Sequence, residues 1–195
     1  MELMEAIKGR RSIGRVKADP IPRETIEQIL EAGNWAPSHH ATEPWRFIVM
    51  TGGGRDVLAQ AYGDIAAEQA EVSDEAAMAE LKAKHGAKAY RSPVVIAVAV
   101  KPSDNPRVVR IEEFAAAHAA VQNMLLMAHA LGLGAIWRSG EPLYHARMKE
   151  ALGLEENEWP VGLVYAGVPD MPAPAGRRRR AADKTVWLDG TDSNK

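Results

Sequence analysis

Arg10, Arg11 and Ser12 stand side by side in "GRRSIGR" (9–15). Two guanidinium forks and a hydroxyl are the donors that a phosphate monoester, with about two negative charges, requires. Arginine recurs as Arg138 in "WRSG" (137–140) and in the run Arg177 to Arg180. The chain has 195 residues, 24 basic against 26 acidic, and a formal net charge of −2, so these clusters are local features of a near-neutral surface. Taken alone, the run 177–180 reads as a solvated tail or a nucleic-acid patch. The charge balance and the lack of an aromatic-basic platform weigh against nucleic acid.

Other chemistries find less support. Cysteine is absent, which excludes disulfides, thiolate metal sites and cysteine nucleophiles, so redox chemistry must come from a bound cofactor. Ser12, Ser38 and Ser139 lack the G-x-S-x-G setting of a hydrolase nucleophile. His39 and His40 are adjacent and should diverge, whereas His118 and His129 share a helical face. Neither pair has a carboxylate at ligand spacing, and no metal is expected. Gly132 and Gly134 follow a helix and precede a strand, the reverse of a dinucleotide loop, and read as a helix stop. "TGGGRD" (51–56) lacks the Lys-Ser/Thr of a phosphate loop and reads as a turn. Trp35 and Trp137 are open to two readings, core aromatic or cofactor contact.

The elements that position these residues alternate between helix and strand. Leu3, Met4 and Ile7 mark one face of a short helix. Pro22, the stripe Ile26, Ile29 and Leu30, and a stop at Gly33 predict a second. Residues 45–50, 92–100, 134–140 and 159–168 read as strands, with 92–100 the central candidate because seven apolar residues follow Pro93. Residues 55–90 look helical, charged and interrupted, as in a cap. From Arg107 to about Leu131, apolar residues at three- and four-residue steps predict a long helix, and 144–152 a shorter one. A Pro-rich stretch and strand-like "TVWL" (185–188) follow. No apolar run approaches the roughly 20 residues of a membrane span, and the start has no leader-like core, so a cytoplasmic location is expected. The pattern indicates an α/β or α+β layered fold with strand order and direction open.

With these residues in view, the sequence resembles the nitroreductase family of FMN-dependent dimeric oxidoreductases, in its compact bacterial subgroup. The carriers, in order, are "RRS" (10–12), "GNWAPSHHATEPWRFIV" (33–49), "GAIWRSG" (134–140) and "GRRRR" (176–180). The resemblance implies an α+β fold: one domain over 1–195, a mixed sheet flanked by helices, and an extension (169–195) exchanged between the chains of a homodimer. It implies that Arg10, Arg11 and Ser12 bind the FMN phosphate and ribityl chain, with Arg177 and Arg179 as distal phosphate contacts. Trp35 and His39 would approach the flavin from the partner subunit, and Trp137, Arg138 and Ser139 from the core. Ala41 and Glu43 occupy positions where many relatives place Asn and Gln.

The implied activity is ping-pong hydride transfer from NADH or NADPH through FMN N5 to a nitroaromatic, a quinone or a similar acceptor. Arg138 would stabilise the anionic reduced flavin. The alternative is a non-catalytic FMN- or nucleotide-binding regulator on the same fold.

Overall fold

In the computed structural model, which describes residues 1–188, four strands form one sheet. They are β1 (Trp45–Thr51), β2 (Val94–Val100), β3 (Gly134–Arg138) and β4 (Trp159–Gly167), in the order β1-β2-β4-β3 and antiparallel throughout. Every residue of β2 is buried, the consequence of an apolar run that alternates between two covered faces. Val94, Ile96, Val98 and Val100 join a core built with α2 (Arg23–Asn34) and the long α5 (Arg110–Ala130). Val95 and Ala97 point the other way, into a second core with α3 (Asp56–Glu68) and α7 (Ala146–Ala151).

The helical stretch expected over 55–90 is a hairpin of α3 and α4 (Glu75–Gly86). It is a wall of the second core, because α3 inserts Leu58 and Ile65, each 2% exposed or less, against the sheet. Only α4 lies outside it, and its close approach to α3 depends on glycine. A Cβ at Gly86 would stand 2.9 Å from the Ala59 carbonyl oxygen, and one at Gly63 would stand 3.1 Å from that of Lys82.

The sheet is thus antiparallel rather than the mixed sheet that the resemblance implied, and the one parallel contact among the described residues is an isolated bridge from the N-terminal segment. After α1 (Leu3–Gly9), Ser12 makes a parallel bridge to Ala135, and the Ile13 N–H donates to the Ala135 carbonyl at 3.0 Å. The chain then runs beside the end of β4, where Val16 bridges Pro169 in the antiparallel sense and the Lys17 N–H donates to the Val168 carbonyl at 2.8 Å. Two glycines make room for it. A Cβ at Gly134 would lie 2.7 Å from Ile13 Cγ2, and one at Gly167 would lie 2.6 Å from Val16 Cγ2. Gly132, at φ +77°, is the left-handed helix stop that the sequence indicates. Its neighbour Gly134 serves this packing instead.

Several apolar side chains face outward in the single chain. Leu3, Met4 and Ile7, the expected stripe of α1, are 71%, 58% and 47% exposed, and α1 buries Ala6 instead. The strand-like Thr185–Leu188 follows a 3-10 turn (Ala181–Lys184) and pairs with no strand among the described residues. β-propensity there has no hydrogen-bonding neighbour to act on. Because α3 is part of the core, Leu58→Ala is expected to lower unfolding free energy by about 2–5 kcal/mol in a single cooperative denaturant transition. A loss below 1 kcal/mol would show that α3 is a detachable lid.

Candidate active site

The basic trio is held where α1 ends and the edge of β3 begins. Gly9 closes α1 against α5, since a Cβ there would stand 2.9 Å from His129 Nε2. Arg11 then acts as a clamp. Its Nε donates to the Pro174 carbonyl at 3.0 Å, and its Nη1 donates to the carbonyls of Lys8 and Arg10 at 2.6 and 2.8 Å. Three of its five N–H donors are thereby used, leaving the two on Nη2. That atom packs against Gly176, where any Cβ would collide with it. The clamp draws the Pro-rich tail back to the N-terminus, assisted by Asp170 N–H donating to the Arg15 carbonyl at 3.1 Å.

One result is a concentration of like charge. Burial first, and then the charges of Arg11 and Arg178, push the Arg10 pKa below its ordinary value. The charge of Arg178 is felt at Arg10, and the resemblance implies Arg177 and Arg179 as distal phosphate contacts. Ser12 is exposed beside the cluster.

At the far end of β3, Trp137 lies over Gly162, where a Cβ would overlap the indole. Its Nε1 donates to the Val161 carbonyl at 3.2 Å, and the ring lies 5.5 Å from that of His118. Trp137 is half-buried, so it belongs to the wall of the site as well as to the core. Arg138 points to the opposite face, over the Tyr165 ring at 5.5 Å. Its Nε is buried with no hydrogen-bond partner, a donor held ready for something outside the chain. A Cβ on Gly14 would stand 3.7 Å from its Nη2, so the N-terminal segment and the end of β3 form one continuous rim. Ser139 is exposed at its end, and Gly140, at φ +117°, turns the chain into α6 (Glu141–Tyr144).

Trp35 and His39 do not join this rim within one chain. Trp35 is 78% exposed, its indole donating to Glu31 Oε1 at 2.6 Å, which rules out the core reading. His39 Nδ1 pairs with Glu112 Oε2 at 3.2 Å, at the start of α5. Gly9 meets His129, seventeen residues further along α5, a separation of about 26 Å along a helix. The loop between Ser38 and Pro44 is strained. His40, Ala41 and Glu43 have φ of 55°, 51° and 45°, a left-handed conformation that costs non-glycine residues roughly 1–2 kcal/mol each and that Asn tolerates better.

The model of the "Nitroreductase family" matches residues 7–168. The chain belongs to the nitroreductase family. It is 33% identical to YfhC of Bacillus subtilis over 91% of this chain and 89% of that one. With YdjA of Escherichia coli K12 it shares 38% identity, over 89% of this chain and 91% of that one. Both relatives carry the name "Putative NAD(P)H nitroreductase". Among solved structures, a nitroreductase-like family protein from Bacillus cereus superposes with a TM-score of 0.81 at 28% identity, covering 97% of each chain. A nitroreductase from Desulfovibrio desulfuricans, in complex with FMN, superposes with a TM-score of 0.71 at 31% identity, covering 96% of this chain and 97% of that one.

The left-handed loop residues give a direct test. Ala41→Gly is expected to raise unfolding free energy by about 0.5–1 kcal/mol. Ala87→Gly, at an ordinary φ of −55°, should lower it. Equal losses at both positions in thermal unfolding would show that Ala41 carries no strain.

Proposed function

We propose that this chain is an FMN-dependent NAD(P)H oxidoreductase acting on electron-poor acceptors such as nitroaromatics or quinones. The observation that carries the reading is the convergence of Arg10, Arg11 and Arg178 from opposite ends of the chain. They meet at the start of β3, and the N-terminal segment runs from there towards Arg138 at the far end, whose guanidinium holds a buried, unpartnered nitrogen. Such a collection of uncompensated positive charge is costly without an anionic ligand. Family membership and the FMN complex of the 31%-identical relative support the same assignment.

The donor set fits FMN. Arg10, Arg178, the free Nη2 of Arg11 and the Ser12 hydroxyl would hold the phosphate. Trp137, fixed by its bond to Val161 and its seat on Gly162, offers a rigid aromatic wall. Arg138 brings a permanent positive charge that requires no reorganisation during the reaction. Bound FMN supplies hydride-transfer chemistry, which needs no general acid-base pair from the protein. Ala41 and Glu43 leave the contacts of the family's Asn and Gln to other groups.

We further infer one domain whose site is completed by a second copy of the chain, in a soluble cytoplasmic homodimer. His39 lies too far from Arg10 to serve the same site in one chain, and Trp35 is exposed just past the end of α2. The exposed stripe of α1 and the exposed Trp187 and Leu188 are apolar surface suited to burial in an interface.

Purified protein should be yellow, and its flavin absorbance should bleach on anaerobic addition of NADH or NADPH. A protein that stays colourless after reconstitution would overturn the reading, and bound flavin that does not bleach would favour a regulator. Arg10→Ala and Arg178→Ala should each weaken FMN binding about tenfold or more, the equivalent of one charge-assisted hydrogen bond. Shared sites make a further prediction. Inactive Arg10→Ala and His39→Ala chains, mixed and reassembled, should regain roughly a quarter of wild-type activity, because each mixed dimer has one intact site. No recovery on mixing would place both residues in one chain's site.

A further inference from the structure

The phosphate cluster and Arg138 leave two cations unexplained. A cavity of about 510 Å³ opens beside Ser139 on the α3 face of the sheet, and Lys88, Arg91 and Arg138 all line it. Lys88 and Arg91 come from the 3-10 turn after α4 (Ala87–Tyr90) and the residue that follows it, not from either basic motif. No carboxylate lines the cavity among the described residues, and neither Arg91 nor Arg138 has a hydrogen-bond or ion-pair partner among them.

The surrounding groups do not neutralise this charge. The floor is a hydroxyl pair, Tyr62 and Tyr165, with oxygens 3.3 Å apart. Burial and the neighbouring Tyr62 push the Tyr165 phenol far above its ordinary pKa, so it stays protonated. Lys88 lies 5.6 Å over the Tyr62 ring, as Arg138 does over Tyr165, and these aromatic faces hold the cations without neutralising them. Lys88 Nζ donates to His85 Nδ1 at 3.2 Å. Desolvation and the charges of Lys88 and Lys84 lower the His85 pKa, keeping that ring neutral. The result is a recess with flat walls, hydroxyl donors and three positive charges.

We propose that this recess recognises the anionic group of the electron acceptor, so that the acceptors of this enzyme are electron-poor aromatics bearing a carboxylate or phenolate. The inference rests on the oxidoreductase reading given above. A neutral nitroaromatic or quinone would gain nothing from Lys88 and Arg91, and the reading assigns the cofactor only Arg138 of the three. A planar, charge-delocalised oxyanion matches the guanidinium forks and accepts from the lysine and the tyrosine hydroxyls.

The test compares two pairs of isosteres on the purified enzyme. Calorimetric titration should show benzoate binding at least about tenfold more tightly than benzamide, the equivalent of one charge-assisted hydrogen bond. The kcat/KM ratio of 4-nitrobenzoate to 4-nitrobenzamide should favour the anion by a similar factor. Lys88→Gln and Arg91→Gln should each bring both ratios towards one, and Lys88→Arg should retain most of the preference. Circular dichroism of each variant establishes that it is folded.

Wild-type protein that does not distinguish benzoate from benzamide would overturn the proposal, as would discrimination that survives both glutamine substitutions. So would substitutions that slow the two acceptors equally while making the bound flavin harder to reduce, which would assign these charges to the cofactor. The two readings fail separately. A colourless protein that still prefers benzoate would sink the oxidoreductase reading and leave the anion recess standing. A yellow, bleachable protein indifferent to benzoate would do the reverse.

Discussion

The site depends on the seating of residues 11–17 along the rim of the sheet. Ile13 and Val16 fill the space that side chains at Gly134 and Gly167 would otherwise take, and those glycines face each other across the β3–β4 ladder. A side chain at either position would drive the segment off the strand edge and break the Ser12–Ala135 bridge. The seated segment sets where Arg10 and Arg11 emerge, and Arg11 in turn holds the tail by the Pro174 carbonyl. One packing event therefore brings the tail back to the N-terminal arginines. It also covers an edge strand that would otherwise expose unpaired backbone groups.

Around this frame, positive charge is placed without internal compensation at two points. Some other cations are paired with carboxylates inside the chain. Arg46 reaches the buried Glu158 at 2.6 Å, and Lys101 reaches Glu155 at 2.7 Å. Arg10, Arg138 and Arg91 have no such carboxylate among the described residues. Unpaired charge at the partly buried Arg10 and Arg138 becomes more favourable once an anion is bound.

The long helix α5 supplies the second constraint. By separating His39 from Arg10 along its length, it sends the strained loop and the phosphate cluster to opposite ends of one chain. The loop's three left-handed residues carry a conformational cost, and Asn at position 41 would adopt that conformation more readily than Ala41 does.

The sequence by itself determined most of the elements. The apolar run of β2, the helical stripe of α5 and the adjacent donors of Arg10 to Ser12 follow from period and residue type, which act locally. Tertiary structure alone decided that the tail folds back on the N-terminal segment, because the Arg11 guanidinium binds the Pro174 carbonyl. It also decided that Gly134 is a seat for Ile13, that α3 is a wall of the core, and that Trp35 lies at the surface. Lys88, Arg91 and Tyr165, scattered over 78 positions of sequence, carried no motif. Only the pairing of β3 with β4 and the packing of the helical hairpin on that face bring them to one recess, and contacts between residues distant in sequence leave no local period to read.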